Sequence, residues 1–363
     1  MIPYGHQSVD DDDIAAVVAV LKGDWLTTGP HVAEFEETLA AKVDARHAVA
    51  FSSGTAALHG AAAAAELGAG DVVVTSPLSF AASATCARYV GATPTFVDID
   101  PATLNMDLTQ VPAEAGAVVA VHFAGLPVDL STLPSRPPVV IEDAAHALGA
   151  LTPDGPVGNC AHSDMAVFSF HPVKAVTTGE GGAVTTNSPD LADRLRRFRN
   201  HGIVPKSEKG GWYYEIEDVG FNYRLTDVQC ALGTSQLAKL DRFVERRNAL
   251  ATRYRDLLAD LNVDLPPAAP DGWRHGYHLF PIRVYNRRAV YGGLRKAGIG
   301  VQVHYVPIYR HPLYARLGFD PTSFPATEAT YARLLSLPMY PDLTDDDQDV
   351  VVSALRTVLA ETA

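Results

Sequence analysis

A single lysine, Lys174, lies between two apolar stretches that are typical of buried β-strands. The stretches are Met165–Phe170 and Gly182–Thr186, and the glycine-rich residues TTGEGG separate the lysine from the second one. Burial between such strands disfavours the ammonium form, so this lysine can become a neutral nucleophile. A neutral amine is required to form a Schiff base with an aldehyde. A surface lysine on a hairpin is the alternative, and for lysines in general it is the commoner case.

A carboxylate, Asp143, directly follows the apolar residues Val139–Ile141 and Glu142. The pattern predicts a buried parallel strand that ends at Asp143, and open α/β sheets bind their ligands outside such strand ends. An acid in this position can keep a pyridine nitrogen protonated, which makes the ring an electron sink. The alternative is that Asp143 caps a helix over the residues that follow it.

Taken together, these two stretches resemble the sugar aminotransferases of the DegT/DnrJ/EryC1/StrS family, which are pyridoxal phosphate (PLP) enzymes of fold type I. The motifs that carry the resemblance are EDAAHALGA, FSFHPVK and TTGEGGAVTTN, and it extends from IPYGHQSVDDDDI to LPMYPDLT. The resemblance implies an α/β fold: a large domain with a mostly parallel, doubly wound sheet and a smaller C-terminal α/β domain. We assign the large domain, with an N-terminal arm, to residues 1–240 and the small domain to residues 241–363.

The resemblance also implies roles for individual residues. Lys174 would bind PLP and later act as the general base, and Asp143 would protonate the ring nitrogen. His146 would contact the ring or its 3′-oxygen, at a place where the family often has Gln. The other expected cofactor contacts are Ser53, Gly54, Thr55 and Ser169 at the phosphate, Phe80 against the ring, and Asn222 at the phosphate of the neighbouring subunit.

Several of these residues have simpler alternatives. Backbone N–H groups at the start of the helix after Ser53 can hold a phosphate, but the serine alone predicts an ordinary N-cap. Phe80 and Trp25 could equally belong to the hydrophobic core. Arg224 and Asp227, next to Asn222, could form a structural ion pair.

The expected substrate contacts come from three separate segments. The resemblance places the stretch that contains Thr27 near the substrate. His304, Tyr305 and Arg310, with His311, could face a nucleotide diphosphate, although surface histidines are the commoner case. The Gly-rich residues 206–214 predict a mobile loop that carries Lys206 and Lys209.

The function implied by the resemblance is transfer of an amino group from L-glutamate to a nucleotide-linked keto-sugar, with pyridoxamine phosphate (PMP) as the half-reaction form. The residues of the motifs HPVK and EDAAHALGA most resemble those of the family branch that aminates C4 of UDP-linked 4-keto-6-deoxy sugars, as in pseudaminic acid synthesis. Amination at C3, dTDP or GDP carriers, and cyclitol ketones remain open. Two other functions also remain open. One is a PMP-dependent dehydratase, in which a histidine typically replaces the lysine, and the other is a non-catalytic PLP-binding regulator. The resemblance further implies a homodimer with shared sites.

Composition and missing motifs narrow the function classes. The formal net charge of −13 over 363 residues argues against a nucleic-acid binder. Three cysteines without a CxxC, and a start without a signal-peptide pattern, fit a cytoplasmic protein. The longest apolar helix, Ala56–Leu67, is too short to cross a membrane. The chain contains no P-loop, no HExxH and no dinucleotide fingerprint, so we expect no metal and no nicotinamide cofactor.

Hydrophobic periodicity predicts strand–helix alternation as far as Asn187. Beyond it, the pattern predicts one long helix over Val228–Leu250 and strands over Tyr277–Tyr285 and Val301–Tyr305. The acidic residues at positions 10–13 are expected to complement the dipole of the first helix.

Overall fold

The computed structural model describes residues 1–362 of the chain as alternating strands and helices. The strands are β1 (His47–Phe51), β2 (Val72–Thr75), β3 (Thr93–Phe96), β4 (Ala117–Val121), β5 (Val139–Asp143), β6 (Leu151–Thr152), β7 (Gly155–Pro156), β8 (Met165–Ser169), β9 (Gly182–Thr186), β10 (Ile203–Pro205), β11 (Tyr214–Ile216), β12 (Phe280–Arg283) and β13 (Leu334–Leu337). The helices are α1 (Asp11–Leu21), α2 (Pro30–Lys42), α3 (Gly54–Ala64), α4 (Ala82–Tyr89), α5 (Pro189–Arg199), α6 (Asp227–Ala238), α7 (Leu240–Leu257), α8 (Arg287–Lys296), α9 (Pro312–Ala315), α10 (Pro325–Arg333) and α11 (Asp345–Thr362).

Seven strands form the central sheet, in the order β1-β9-β8-β5-β4-β2-β3. Strands β8, β5, β4, β2 and β3 are parallel to one another, whereas β9 is antiparallel to both β8 and β1. The strands are rich in Val and Ala and are buried on both faces, as expected when helices cover both sides of a parallel sheet. The prediction of a mostly parallel α/β sheet is therefore confirmed.

The side chains of β1 point alternately to the two faces of the sheet and pack into two separate core layers. Ala48 and Ala50 pack with Phe35 of α2 on one face, whereas Val49 and Phe51 pack with α3 on the other. Successive side chains of a strand point to opposite faces, so a single short strand supplies both layers. This arrangement places the beginning of α3 beside the carboxyl ends of the parallel strands.

The C-terminal part of the chain has a hydrophobic cluster of its own, built on β12, β13, α8 and α11. Helix α7 contributes to two clusters, because Leu240 packs with the sheet domain and Leu250 with the C-terminal cluster. The division at residues 240 and 241 stays a prediction, and residue 363 lies outside the described residues. Ile2 of the N-terminal arm forms a bridge with Ile299 of the C-terminal part.

Two expected elements differ from the structure. The single helix over 228–250 is wrong, because the chain turns at Lys239, whose ammonium reaches Asp13 of α1 at 2.9 Å. The strand over 301–305 is wrong as well, because only Gln302 forms a bridge, to Ser336. The loop expected over residues 206–214 is present as the connection between β10 and β11 of a hairpin, where Glu217 and Glu215 accept hydrogen bonds from Lys206 and Lys209; its mobility stays a prediction.

The acidic start of α1 has a structural use, as the sequence predicted. Asp10 caps the helix and forms a capping box with Asp13. The buried carboxylate of Asp13 also accepts hydrogen bonds from Ser235 and Gln236 at 2.6 and 2.7 Å. Among residues 1–362, no helix is both long and apolar enough to span a membrane.

A buried carboxylate, Asp98, fastens the C-terminal segment to the sheet. It accepts hydrogen bonds from the backbone N–H groups of Ala326 and Thr327 and from the Thr327 hydroxyl, at 2.8, 2.9 and 2.6 Å. These residues open α10, so Asp98 caps a helix more than two hundred positions away in the sequence. A distant cap of this kind ties β3 to α10.

We expect Asp98→Ala to lower the free energy of unfolding by about 2 kcal/mol, because it removes a cap and leaves buried donors unsatisfied. Urea unfolding measures the change. Asp129→Ala is the matched control, since Asp129 is exposed and caps only a short 3₁₀ turn. We expect the control to cost less than about 1 kcal/mol. Equal losses in the two variants would show that the contact to α10 does not stabilise the fold.

Candidate active site

A cavity of about 340 Å³ opens at the carboxyl ends of β4, β5 and β8, beside the start of α3. Strand ends of a doubly wound sheet are where ligands bind, because the neighbouring loops diverge there. Asp143, Ser169 and Lys174 all line this cavity, as do Ser53 and His146. The structure thus brings together residues from three separate stretches of the chain.

Asp143 ends β5 with its carboxylate buried, and two groups fix its orientation. The Ser83 hydroxyl donates to one oxygen at 2.6 Å, and the backbone N–H of Ala145 donates to the other at 3.2 Å. Residues 145–149 form turns, so the alternative of a helix N-cap is wrong. A carboxylate held in this way can accept one further hydrogen bond from a ligand in the cavity.

Lys174 lies in the turns after β8, and its side-chain amine points into the cavity. Its Nζ lies 3.4 Å from His278 Nε2. Burial lowers the pKa of Lys174 to about 8, although the negative charge of Asp143 acts in the opposite direction. The alternative of an exposed surface lysine is therefore wrong. An amine with a pKa near 8 is partly neutral at physiological pH and can act as a nucleophile.

The start of α3 offers backbone donors to an anion. Ser53 is the N-cap of this helix, and its hydroxyl accepts a hydrogen bond from the Ala56 N–H at 3.0 Å. The N–H groups of Gly54 and Thr55 lie in the first turn, where a helix provides no backbone acceptor. A Cβ on Gly54 would lie 2.9 Å from the Cβ of Ser169, so only glycine permits this approach. The cap role and the anion-site role of this segment are therefore compatible.

Two neutral aromatic residues meet on one wall of the cavity. The Tyr305 hydroxyl lies 3.0 Å from His146 Nε2, and the rings of His146 and His278 are 4.3 Å apart. Burial, together with the positive charge of Lys174, holds the pKa of His146 well below its ordinary value. Burial likewise raises the pKa of Tyr305. Within residues 1–362, Nδ1 of His146 is buried without a hydrogen-bond partner.

His304 and Phe80 lie on the same side of the cavity. His304 is buried, its Nδ1 lies 2.9 Å from the Ser336 hydroxyl, and burial lowers its pKa to about 4. Phe80 is 60% exposed, with its ring 6.2 Å from that of Tyr305. The alternatives of a surface histidine for His304 and of a core residue for Phe80 are both wrong. Trp25 is exposed as well, so its core alternative is also wrong.

Three of the predicted site residues lie outside the cavity. Thr27 forms a bridge with Thr226, and Asn222 forms one with Asn200. Arg310 is engaged by Glu328, with Nε and Oε1 2.8 Å apart. For Asn222 this placement agrees with an expected contact to another subunit.

The alternative of an ion pair between Arg224 and Asp227 is wrong. Arg224 donates to the Asn200 side chain at 2.7 Å. Asp227 accepts from the backbone N–H groups of Gly29 and His31 at 2.8 and 2.9 Å, which caps the start of α2.

Sequence reasoning missed Tyr4, Glu180 and His278, which also line the cavity. Tyr4 reaches it because the arm packs on the C-terminal part, where the Met339 N–H donates to the Tyr4 carbonyl at 3.0 Å. His278 lies in the apolar stretch YHLFPIRV, and a polar residue in such a stretch was the only signal available. Glu180 lies in the TTGEGG segment, which drew attention for its glycines alone.

A cofactor with an aldehyde, a pyridine ring and a phosphate fits this set of residues. The cavity offers an amine of lowered pKa, a buried carboxylate, hydroxyls and the N-terminus of an eleven-residue helix. Across the described residues, no group of three His, Cys, Asp or Glu side chains has the geometry of a metal site. The fold and the site together define a PLP-dependent transferase of fold type I.

Comparison with known proteins identifies the family. Residues 7–356 match the DegT/DnrJ/EryC1/StrS aminotransferase family, to which the chain belongs. The Campylobacter jejuni UDP-4-amino-4,6-dideoxy-N-acetyl-beta-L-altrosamine transaminase is 37% identical over 375 residues, 99% of this chain and 98% of that one. The expected family, aminotransferase activity and PLP cofactor are confirmed.

Solved structures agree with this assignment. Spr1654 from Streptococcus pneumoniae in its PMP form superimposes with a TM-score of 0.94 at 28% identity and covers both chains completely. The same protein is also known in a PLP form. Helicobacter pylori PseC, an aminotransferase of pseudaminic acid biosynthesis, has a TM-score of 0.92 at 29% identity over 99% of this chain and 98% of that one.

We expect the Lys174 amine of the cofactor-free protein to titrate near pH 8. The rate of its reductive methylation by formaldehyde should rise about tenfold per pH unit below pH 8 and level off above, because only the neutral amine reacts. Peptide mass spectrometry resolves Lys174 from exposed lysines in the same digest, which serve as internal references. A rate for Lys174 that still rose tenfold per unit above pH 9 would contradict the lowered pKa.

Proposed function

We propose that this protein transfers the amino group of L-glutamate to C4 of a UDP-linked 4-keto-6-deoxy sugar. The observation that carries the chemistry is the amine of Lys174, with a pKa near 8, in one cavity with the buried carboxylate of Asp143. The substrate class is supported by the C. jejuni relative, whose name describes a transaminase of a UDP-linked 4-amino-4,6-dideoxy sugar. We place this reaction in the cytoplasm; all three cysteines are buried and free, which suits a reducing compartment.

Lys174 would hold the cofactor and then move a proton. PLP, when bound, supplies an aldehyde and an electron-withdrawing pyridine ring. The neutral amine of Lys174 would hold PLP through that aldehyde and would be free again once the amino donor is bound in its place. The free amine would then remove the proton from the α-carbon of glutamate, for which its pKa near working pH is suited.

Asp143 and the start of α3 would orient the cofactor. The hydrogen bonds from Ser83 and Ala145 leave the Asp143 carboxylate able to accept one from the pyridine N–H. The N–H groups of Gly54 and Thr55, with the Ser53 and Ser169 hydroxyls nearby, would hold the phosphate. His146 would contact the 3′-oxygen, and Phe80 the ring face.

His304 and Tyr305 are the substrate contacts that the geometry supports. Both line the cavity, and both are neutral at working pH because burial shifts their pKa values away from it. Neutral donors and acceptors suit the hydroxyl and carbonyl groups of a sugar. The roles first assigned to Thr27 and Arg310 have no such support, because both lie outside the cavity and Glu328 already engages Arg310.

The test is a panel of keto-sugars with glutamate as donor: C3 and C4 ketones on UDP, dTDP and GDP, and one free cyclitol ketone. We expect turnover with the UDP-linked C4 ketone, and competition by UDP alone, because a nucleotide site contributes binding energy. Mass spectrometry of the product identifies the aminated position. Turnover of the cyclitol alone, without inhibition by any nucleotide, would exclude the sugar-nucleotide proposal and leave the aminotransferase chemistry intact.

Two variants serve as controls for the chemistry in this panel. Lys174→Ala should abolish turnover and the covalent capture of PLP by borohydride. Asp143→Asn should still capture PLP but lose about 100-fold or more in kcat, because a neutral amide does not hold the ring proton. Normal turnover in either variant would remove that residue from its proposed role.

We infer that the working enzyme is a homodimer with shared sites. The cofactor phosphate, the glutamate carboxylates and a diphosphate are all anionic, yet no arginine of the described chain lines the cavity. The charged side chains that line the cavity are one lysine, Lys174, and two acids, Asp143 and Glu180. Anions bind best where donors or positive charges surround them, so a neighbouring subunit has to complete the site. Asn222, exposed and outside its own cavity, is the candidate contributor.

Mixed dimers test the shared site. Lys174→Ala and Asn222→Ala should each be inactive alone, whereas mixing them should restore up to about a quarter of wild-type activity. The estimate follows because half of the dimers are mixed and each has one intact site, if subunits exchange at random. Mass spectrometry of the native dimers confirms the exchange. If exchange occurs without recovery, each site is built within one chain.

A further inference from the structure

We propose that His278 is a positioning residue for Lys174, whose amine donates a hydrogen bond to His278 Nε2 and is thereby aimed into the cavity. This inference rests on the proposed role of Lys174 as the cofactor-binding lysine. His278 comes more than a hundred residues after Lys174 in the sequence, so the pair exists only in the folded chain.

The contact is specific to one atom of the imidazole. His278 Nε2 lies 3.4 Å from Lys174 Nζ, and within residues 1–362 it is the one hydrogen-bond partner of that amine. The His146 ring packs 4.3 Å from the His278 ring, which limits rotation of the imidazole away from the amine. The amine of a lysine is otherwise free to rotate about a flexible four-carbon stem. A single fixed acceptor removes much of that freedom.

The backbone around His278 is held on both sides. The Gly276 N–H donates to the Gly125 carbonyl at 2.8 Å, and the Leu279 N–H donates to the Ala124 carbonyl at 3.3 Å. The buried guanidinium of Arg247 donates to the carbonyl of the preceding residue, Tyr277, at 3.1 Å. The imidazole therefore enters the cavity from a fixed segment of the C-terminal part, and its position does not depend on a bound ligand.

The charge states decide the direction of the hydrogen bond. Burial, together with the nearby charge of Lys174, holds the pKa of His278 well below its ordinary value, so the ring is neutral. A neutral imidazole has one donor nitrogen and one acceptor nitrogen, and an ammonium only donates. Nε2 is therefore the acceptor and Nδ1 carries the proton when Lys174 is protonated.

Other charged groups near Lys174 act on the same equilibrium. Burial and the positive charge of Arg247 lower the pKa of Lys174, and Asp143 raises it. His146 and His304 face the amine as well, but burial keeps both neutral. An acceptor at His278 Nε2 stabilises the ammonium form, so its removal should lower the pKa of Lys174 further.

Two amide variants separate the acceptor from the ring. In His278→Gln the amide reaches the position of Nε2, whereas in His278→Asn it reaches only the position of Nδ1. We would load both variants with PMP, which leaves the lysine amine free, and follow reductive methylation of Lys174 against pH by peptide mass spectrometry. We expect the midpoint in His278→Asn to fall by about one pH unit, and that of His278→Gln to stay within about 0.3 unit of wild type.

The kinetic readout should follow the same order. His278→Asn should lower kcat for the glutamate half-reaction by about tenfold or more and move its pH profile to lower pH, whereas His278→Gln should retain most of the activity. Equal shifts in both variants would show that loss of the ring matters and the Nε2 acceptor does not. An unchanged midpoint in both would show that Lys174 needs no acceptor there. Either outcome overturns the proposal.

A measurement on the unaltered ring covers the case of a variant that does not fold. In protein labelled with ¹⁵N-histidine, Nε2 of His278 should resonate as an unprotonated nitrogen, and the signal should move in Lys174→Met. A protonated Nε2 in the PMP-loaded wild type would overturn the proposal. Borohydride capture of PLP at Lys174 separates the proposed function from the positioning role of His278. Its absence in wild type would contradict the proposed function, independently of the results for His278.

Discussion

Withdrawal of one lysine amine from water is the constraint on which the rest of this site depends. Desolvation, with the positive charge of Arg247 as a smaller cause, lowers the affinity of the Lys174 amine for a proton, and the nearby carboxylate of Asp143 keeps the shift moderate, at a pKa of about 8. Full burial without an acid would leave the amine without a proton to move, and full exposure would leave it protonated. A pKa between these limits allows the amine to serve as both nucleophile and base.

Residues from both the sheet and the C-terminal part surround the Lys174 amine. Strands β5 and β8 deliver Asp143 and Ser169 to the same edge, and α3 presents its first turn beside them. The C-terminal part closes the opposite wall with His278, His304 and Tyr305. Backbone hydrogen bonds between residues 124–125 and 276–279 connect the two parts next to the lysine. Relative movement of the parts would therefore change the surroundings of the amine directly.

The differences between expectation and structure have a common origin in tertiary contacts. The sequence of helices α6 and α7 has one continuous helical pattern because no glycine or proline stands at their junction, yet contacts of Lys239 with α1 accompany a turn there. In the sequence Arg310 has no evident partner and was expected to contact the substrate, but in the folded chain it donates a hydrogen bond to Glu328. In each case a distant partner overrode a correct local pattern.

The sequence by itself determined the alternation of strands and helices, the family and the two residues at the centre of the chemistry. The alternation follows from hydrophobic periodicity, whereas the family and the roles of Lys174 and Asp143 follow from the resemblance carried by EDAAHALGA, FSFHPVK and TTGEGGAVTTN. Only the tertiary structure decided which residues surround the amine. Tyr4, His278 and Tyr305 approach it from segments far apart in the chain, and local patterns do not encode such distances. The lowered pKa of Lys174 also belongs to the fold, because desolvation is a property of the assembled cavity.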